Sequence, residues 1–464
     1  MHRQDASIEV LTQAIARYSI GRLRMDPPPL DKPRSPADLR AMAGRTITPE
    51  GIGGLEALRI YGDVLGPACI SVDHPRFLSF VPAAPTEASI LFDLVVGASS
   101  VYAGSWLEGA GAIFAENEAL RWIADLVGLP DGAGGVFVSG GTAGNLSALI
   151  AARWYWRHRA DGAHDRTRGL IVASSGAHSS IVQAGRAMDA DVALVPADER
   201  GRLTGSALRD TVEALSDEDR ARLFAIVATA GTTNAGVVDD IAGAAAVKTE
   251  VGTWLHVDGA YGGAALAAPS VRALFDGVEH ADSFIVDPHK WLFAPFDSCA
   301  LLYRDPVIAR AAHTQHAAYL DVLHADDPAD EPWNAADYAH HLSRRARGLP
   351  LWFSLATHGT AAYSEAVETT LRVTREGADL VEGAPHTELV MQPELSILLF
   401  RRLGWSAADY QAWSDAELES GRFFVVPTTW HGEVLLRLCI VNPLTTVDDI
   451  GLIIDSLAAG RTAP

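Results

Sequence analysis

The stretch Ala281-Asp-Ser-Phe-Ile-Val-Asp-Pro-His-Lys-Trp291 decides how this chain folds. Its apolar run reads as a buried strand, Pro288 stops that strand in a turn, and His289 and Lys290 stand directly beyond the strand end. The same arrangement recurs upstream. Gly135-Val-Phe-Val138 precedes a helical pattern over 145–156, Gly169-Leu-Ile-Val-Ala173 precedes another over 180–188, and residues 223–230 and 253–258 are further apolar runs. Short apolar runs alternating with helical stretches across 73–304 imply an α/β fold with a mostly parallel sheet and helices on both faces. In such an open sheet, groups at the carboxyl ends of the strands line the ligand crevice.

Outside this region the texture changes. Residues 1–72 combine amphipathic spacing over 8–18 with the proline-rich Met25-Asp-Pro-Pro-Pro-Leu-Asp-Lys-Pro-Arg-Ser-Pro36. A segment of that kind holds too little apolar surface to fold alone, so it is expected to pack on the rest of the chain or on a second subunit. From 348 onward, long helical patterns enclose two strand candidates, Glu394-Leu-Ser-Ile-Leu-Leu-Phe400 and Val434-Leu-Leu-Arg-Leu-Cys-Ile-Val441. The expected organisation is an N-terminal helical dimerisation segment (1–72), a large domain (73–347) and a small α+β domain (348–464).

Of the 464 residues, 48% are hydrophobic and 20% charged, enough apolar material for a large core. Acidic side chains outnumber basic ones, 58 to 37, and a net charge of −21 disfavours a nucleic-acid partner. Cys69, Cys299 and Cys439 are odd in number and far apart, which suggests neither a disulfide framework nor a zinc ribbon and fits a reducing cytoplasm. The opening Met1-His-Arg-Gln-Asp-Ala-Ser-Ile-Glu-Val10 lacks a signal pattern, and the least charged long stretch, 94–107, is too short to cross a bilayer. A cytoplasmic protein with no membrane contact is expected. Lysine is scarce, because only Lys32, Lys248 and Lys290 are present and the remaining 34 of the 37 basic residues are arginine.

Several strand ends carry candidate chemistry. Val138-Ser-Gly-Gly-Thr-Ala-Gly-Asn145 leads from a strand into a helix, either as a phosphate cradle built on a helix N-terminus or as an ordinary tight turn. It matches neither G-x-G-x-x-G nor a P-loop. Asp258, in Leu255-His-Val-Asp-Gly-Ala-Tyr261, is either a helix cap or an acceptor for a protonated heterocyclic nitrogen. Lys290 either snorkels to the surface or, among apolar neighbours that penalise an ammonium, forms a Schiff base. His178 in Ser174-Ser-Gly-Ala-His-Ser-Ser180 and Thr233 in Thr229-Ala-Gly-Thr-Thr-Asn-Ala-Gly236 each suit a simple turn when taken alone. As a set, they would converge on one rim of the sheet.

Together, His256-Val-Asp-Gly-Ala-Tyr-Gly-Gly263, the 281–291 stretch, Ala177-His-Ser-Ser180 and residues 228–236 strongly resemble the group II pyridoxal-phosphate-dependent amino-acid decarboxylases, which include the aromatic, histidine and glutamate enzymes. The interval from Asp258 to Lys290 (290 − 258 = 32) agrees with the aromatic branch. The resemblance extends to His74-Pro-Arg-Phe-Leu-Ser-Phe-Val-Pro82, Ser343-Arg-Arg-Ala-Arg-Gly-Leu-Pro-Leu-Trp-Phe353 and residues 435–446. It implies a fold-type I enzyme with a large, mostly parallel seven-stranded sheet, acting as a homodimer with shared active sites.

Carried over residue by residue, the resemblance implies that Lys290 forms a Schiff base with pyridoxal 5'-phosphate, Asp258 pairs with its ring nitrogen, and Ala260 and His178 flank the ring. Thr233 would lie beside the cofactor, with Gly140, Gly141 and Thr142 at its phosphate and His289 in support. Gly140 replaces a frequent serine, and Asp287 replaces a frequent asparagine. Phe80, Val81, Pro82 and Tyr102 are expected to line the side-chain pocket, and Tyr338 to be the mobile-loop tyrosine that protonates the reacting carbon. The implied reaction is decarboxylation of an aromatic or bulky apolar L-amino acid. An oxidative aldehyde synthase, a carbon–carbon lyase or an aminotransferase would use the same scaffold. From a different class, a metal-dependent hydrolase would use His178, His256, His289 and Asp258 as ligands, although no compact ligand pair supports it. A catalytically silent interaction protein on the same fold is the third reading.

Overall fold

The computed structural model describes residues 6–159, 167–324 and 332–458. The apolar runs form β1 (Gly134–Val138), β2 (Leu170–Ser174), β3 (Asp191–Val195), β4 (Leu223–Thr229), β5 (Trp254–Asp258), β6 (Ser283–Val286) and β7 (Cys299–Tyr303). They make one sheet of order β1-β7-β6-β5-β4-β2-β3. Strands β3, β2, β4, β5 and β6 are parallel, while β7 runs antiparallel between β6 and β1. Six carboxyl ends therefore share one rim. Consecutive side chains enter opposite layers: Leu170 and Val172 join one apolar cluster, Ile171 and Ala173 the other. Both sheet faces are covered by helices, so these strands read as continuous apolar runs rather than alternating ones.

The C-terminal sheet contains β8 (Thr387–Leu389), β9 (Ile397–Arg402), β10 (Thr428–Trp430) and β11 (Glu433–Cys439), antiparallel in the order β10-β11-β9-β8. The sequence pattern predicts only β9 and β11. The two extra strands are three-residue pieces, too short to carry a period-two signal. Leu398, Phe400, Leu436 and Leu438 form a core with Ile450 and Ile453 of the helix Val447–Ala458. Leu399, Leu435 and Cys439 belong instead to the cluster that contains Leu255 and Val257 of the large sheet, so one apolar core runs between the two sheets.

The N-terminal helix Ala6–Leu23 leaves Ile8, Val10, Ile15, Tyr18 and Ile20 exposed. Arg22 ties its end to Asp73 at 2.8 Å, and Leu30 of the proline-rich linker is buried against Phe77 and Phe424. Among the described residues, no helix is long and apolar enough to cross a membrane.

Candidate active site

At the rim where the strand ends gather lies a cavity of about 600 Å3. From β1, the turn Gly140-Gly141-Thr142 enters it and continues as the helix Gly141–His158. That helix has no side-chain cap, whereas Thr204 caps the helix Gly205–Glu213 and a Ser406–Asp409 capping box closes Ala407–Glu419. The Gly141 amide instead donates to Asp287 Oδ2 at 3.3 Å, so an anionic oxygen already sits at this helix N-terminus. A Cβ on Gly141 would lie 3.1 Å from the Ala260 Cβ and 3.2 Å from Asp287 Oδ2, so a side chain here would press on both neighbours.

Beyond β2, His178 caps the helix Ser179–Ala187 by accepting the Ser180 N–H on Nδ1 at 3.2 Å. Beyond β4, Thr233 lines the cavity, and its carbonyl accepts the Arg437 guanidinium at 2.6 Å, so β11 of the small sheet braces this loop. Asp258 ends β5, nearly buried at 4% exposure; its Oδ1 accepts the Ala260 N–H at 3.0 Å and its Oδ2 accepts Asn145 Nδ2 at 2.9 Å. Lys290 follows β6 in a short helical turn, its Nζ 2.9 Å from Asp287 Oδ2. Burial alone would lower the pKa of this ammonium, but the Asp287 carboxylate, joined by Asp258 and Cys299, outweighs it and the pKa is raised. Burial lowers the pKa of His289, whose Nδ1 sits 2.6 Å from the Ser298 carbonyl oxygen. The other two lysines pair elsewhere, Lys32 with Glu419 and Lys248 with Asp282.

Gly140, Gly141, Thr142, His178, Thr233, Asp258, Ala260, His289 and Lys290 thus all line one cavity. The expected side-chain pocket does not join them within the chain. Phe80, Val81, Pro82 and Tyr102 are absent from the cavity wall. The Phe80 ring is 65% exposed with a left-handed backbone (φ 54°), its carbonyl held by Arg437 Nη1 at 2.7 Å, and Tyr102 lines a separate, smaller hollow with Leu320 and His324. Tyr338 also departs from expectation. It is 4% exposed and stacks on Trp333 at 4.1 Å, inside an apolar cluster rather than on a mobile surface. Tyr319, earlier in the same segment and 71% exposed, has the accessibility that a loop tyrosine needs.

The metal reading finds no centre. His256 is fully buried, with Nε2 2.8 Å from Asn145 Oδ1 and Nδ1 2.9 Å from Ser283 Oγ, and among the described residues no three His, Cys, Asp or Glu side chains come together as a metal site. Sequence reasoning missed Asn145, Phe296, Asp297 and His340, which line the cavity too. Asn145 had a signal: it stands four residues beyond Gly141 on one helix, hence on the face that carries the glycine turn into the cavity.

The fold, with its cavity at the strand ends, is that of a fold-type I α/β enzyme, and comparison with known proteins gives the family and the reaction class. The profile described as "Pyridoxal-dependent decarboxylase conserved domain" matches residues 56–403. The aromatic-L-amino-acid decarboxylase of Bacillus atrophaeus is 30% identical over 392 residues, covering 82% of this chain and 79% of that protein. The L-2,4-diaminobutyrate decarboxylase of Rhizobium meliloti is 31% identical over 424 residues, covering 89% and 83%. The crystal structure of Oryza sativa TDC with PLP and tryptamine superposes with a TM-score of 0.89, covering 98% of each chain at 23% identity. The chain belongs to the pyridoxal-dependent decarboxylase family and is a PLP-dependent amino-acid decarboxylase.

The residues present fit that cofactor. A bare-backbone helix N-terminus, a buried carboxylate and an amine share one cavity, matching in kind a phosphate, a ring nitrogen and an aldehyde. When bound, pyridoxal phosphate supplies a conjugated sink for the electron pair left by departing CO2. Lys290 Nζ would attach it, and Asp258 would accept a charge-assisted hydrogen bond from its protonated ring nitrogen. The Gly140-Gly141-Thr142 turn would hold its phosphate.

Proposed function

We propose that this decarboxylase acts on an L-amino acid with an aromatic or bulky apolar side chain, releasing the amine and CO2, as a cytoplasmic homodimer. The observation that carries the reaction class is the convergence of Lys290 and Asp258, with His178 and Ala260, on one cavity. The similarity to the Bacillus atrophaeus enzyme supports the aromatic side chain. The exposed Phe80 ring, on a backbone pinned by Arg437, supports a substrate wall completed between two subunits.

Replacing a carboxylate by hydrogen consumes one proton. The loop tyrosine proposed to deliver it is Tyr319, since Tyr338 is packed against Trp333. Product analysis tests this reading: amine and CO2 without oxygen uptake support it, while a keto acid, or an aldehyde with peroxide, would overturn it. The Tyr319→Phe variant is expected to lose at least tenfold in amine formation and to gain aldehyde with oxygen uptake. Unchanged amine output would sink the assignment of Tyr319.

A second reading takes a side chain ending in an ammonium. It is favoured by the match to the Rhizobium meliloti enzyme and by the Asp297 carboxylate in the cavity wall. Comparing kcat/KM for L-tryptophan, L-tyrosine and L-2,4-diaminobutyrate separates the two.

A further inference from the structure

Behind the cavity, a file of buried polar groups runs from the sheet interior to the two side chains expected to face the cofactor ring. Trp254 Nε1 donates to Ser283 Oγ at 2.8 Å, and Ser283 Oγ lies 2.9 Å from His256 Nδ1. On the far side of that imidazole, Nε2 lies 2.8 Å from Asn145 Oδ1. Asn145 Nδ2 then reaches both Asp258 Oδ2 and Ser180 Oγ at 2.9 Å, and Ser180 Oγ lies 2.8 Å from His178 Nδ1. Trp254, Ser283, His256, Asn145 and Ser180 are all buried, so solvent does not complete their hydrogen bonds.

The ends of this file permit only one direction of donation. An indole N–H only donates and an ionised carboxylate only accepts. Asp258 therefore requires the Asn145 amide nitrogen on its side, which turns Asn145 Oδ1 to His256 and makes His256 Nε2 the protonated nitrogen. His256 Nδ1 then accepts from the Ser283 hydroxyl, whose oxygen is left to accept the indole N–H. On the branch, Ser180 Oγ accepts from Asn145, and because His178 Nδ1 already accepts the Ser180 backbone N–H, the Ser180 hydroxyl proton is also directed to that nitrogen. His178 is consequently neutral, with its hydrogen on Nε2. Burial holds the pKa of His256 below the usual imidazole range, in keeping with a single proton on that ring.

We propose that Asn145 is a positioning residue of this decarboxylase, delivering one fixed polarity to both sides of the cofactor site: Asp258 stays a pure acceptor and His178 a single neutral tautomer. This rests on reading Asp258 and His178 as cofactor contacts. A network of this kind makes the site rigid only when every member is satisfied, and one reversed member disturbs the rest.

The test is titration of the apoprotein with pyridoxal phosphate at constant pH, reading the dissociation constant and the ratio of the long- to short-wavelength bands of the bound cofactor. Asn145→Asp keeps the shape but replaces the two N–H donors with an acceptor facing Asp258. It is expected to weaken binding at least tenfold and to change the band ratio. Ser283→Ala, two links from Asn145, is expected to shift the ratio in the same direction by less, with a wild-type circular dichroism spectrum and a melting temperature lowered by the unpaired indole and imidazole. If Asn145→Asp does not fold, Ser283→Ala decides. Asp258→Ala is the control: a wild-type band ratio there would overturn the reading on which the proposal rests. An altered ratio in that control, beside wild-type ratios and affinities in the network variants, would overturn the positioning role alone.

Discussion

Asp287 is the residue at which this chain departs most consequentially from its resemblance, for it puts a carboxylate where an asparagine is frequent. It accepts the Gly141 amide and pairs with Lys290 at 2.9 Å, so before the cofactor binds it holds the attacking amine as an ammonium. An ammonium has no lone pair for an aldehyde. Because the carboxylate raises the Lys290 pKa, Asp287→Asn should lower it and enlarge the free-amine fraction at any given pH. Removing an opposite charge this close moves such a midpoint by about one pH unit or more. The rate of visible chromophore formation from apoprotein and pyridoxal phosphate should therefore rise with pH along a curve displaced downward in the variant. A coincident midpoint would show that Asp287 does not govern Lys290. At this scale, the residues at strand ends were legible, because a polar residue after an apolar run has few other reasons to be there. The burial of Tyr338 depends on Trp333 folding over it, which no local pattern records. Asn145 was missed because its partners come from positions more than thirty residues away.

Among elements, the seven strands were readable because burial on both faces produces continuous apolar runs. What joins the elements was not. Ser343-Arg-Arg-Ala-Arg-Gly348 offers three arginines in similar context, yet only the Arg344 side chain is fully buried, while those of Arg345 and Arg347 remain 41% and 22% exposed. Arg344 donates to both oxygens of Glu116 at 2.7 and 2.9 Å and to the carbonyls of Ala103 and Phe137. Glu116 also accepts the Gly348 amide at 2.8 Å, so this pair ties the helix Trp106–Val127 and β1 to the start of the helix Leu349–His358. Removing one partner of such a pair leaves an uncompensated buried charge and costs about 3–5 kcal/mol. An exposed helical pair such as Glu56 with Arg59 is screened by solvent and contributes little. Glu116→Ala should thus lower the urea midpoint far more than Glu56→Ala. Equal shifts would mean that the buried pair does not hold these elements together.

For the molecule as a whole, the acidic charge and apolar fraction announced a large folded protein but not where its apolar surface would remain uncovered. The structure leaves Leu91, Leu94 and Val95 of the helix Glu87–Ser99 exposed, with Leu107 and Phe114 of the helix Trp106–Val127 and the apolar side chains of the N-terminal helix. Leu94 is 63% and Leu107 69% exposed, while single exposed aliphatic residues such as Leu194, Val307 and Leu444 lie on other elements and most of the rest are buried in continuous cores. Scattered exposed leucines need no explanation, but several on two helices, one of which braces the active-site sheet, do. Helix Trp106–Val127 packs against β1, whose end forms the glycine turn, so a second subunit seated here would cover apolar surface close to the cofactor cavity. The proposed homodimer supplies that cover, and a two-fold pairing presents the same patch from both sides. Sedimentation at micromolar concentration should show a dimer for the wild type and a shift toward monomer for the Leu94→Asp, Leu107→Asp double variant, since each buried aliphatic side chain contributes about 1.5–3 kcal/mol and a buried carboxylate opposes association further. Decarboxylation should fall with the dimer fraction if the substrate wall is completed between subunits. A monomeric wild type with full activity would refute the shared site, and a double variant that remains dimeric would place the interface on another face.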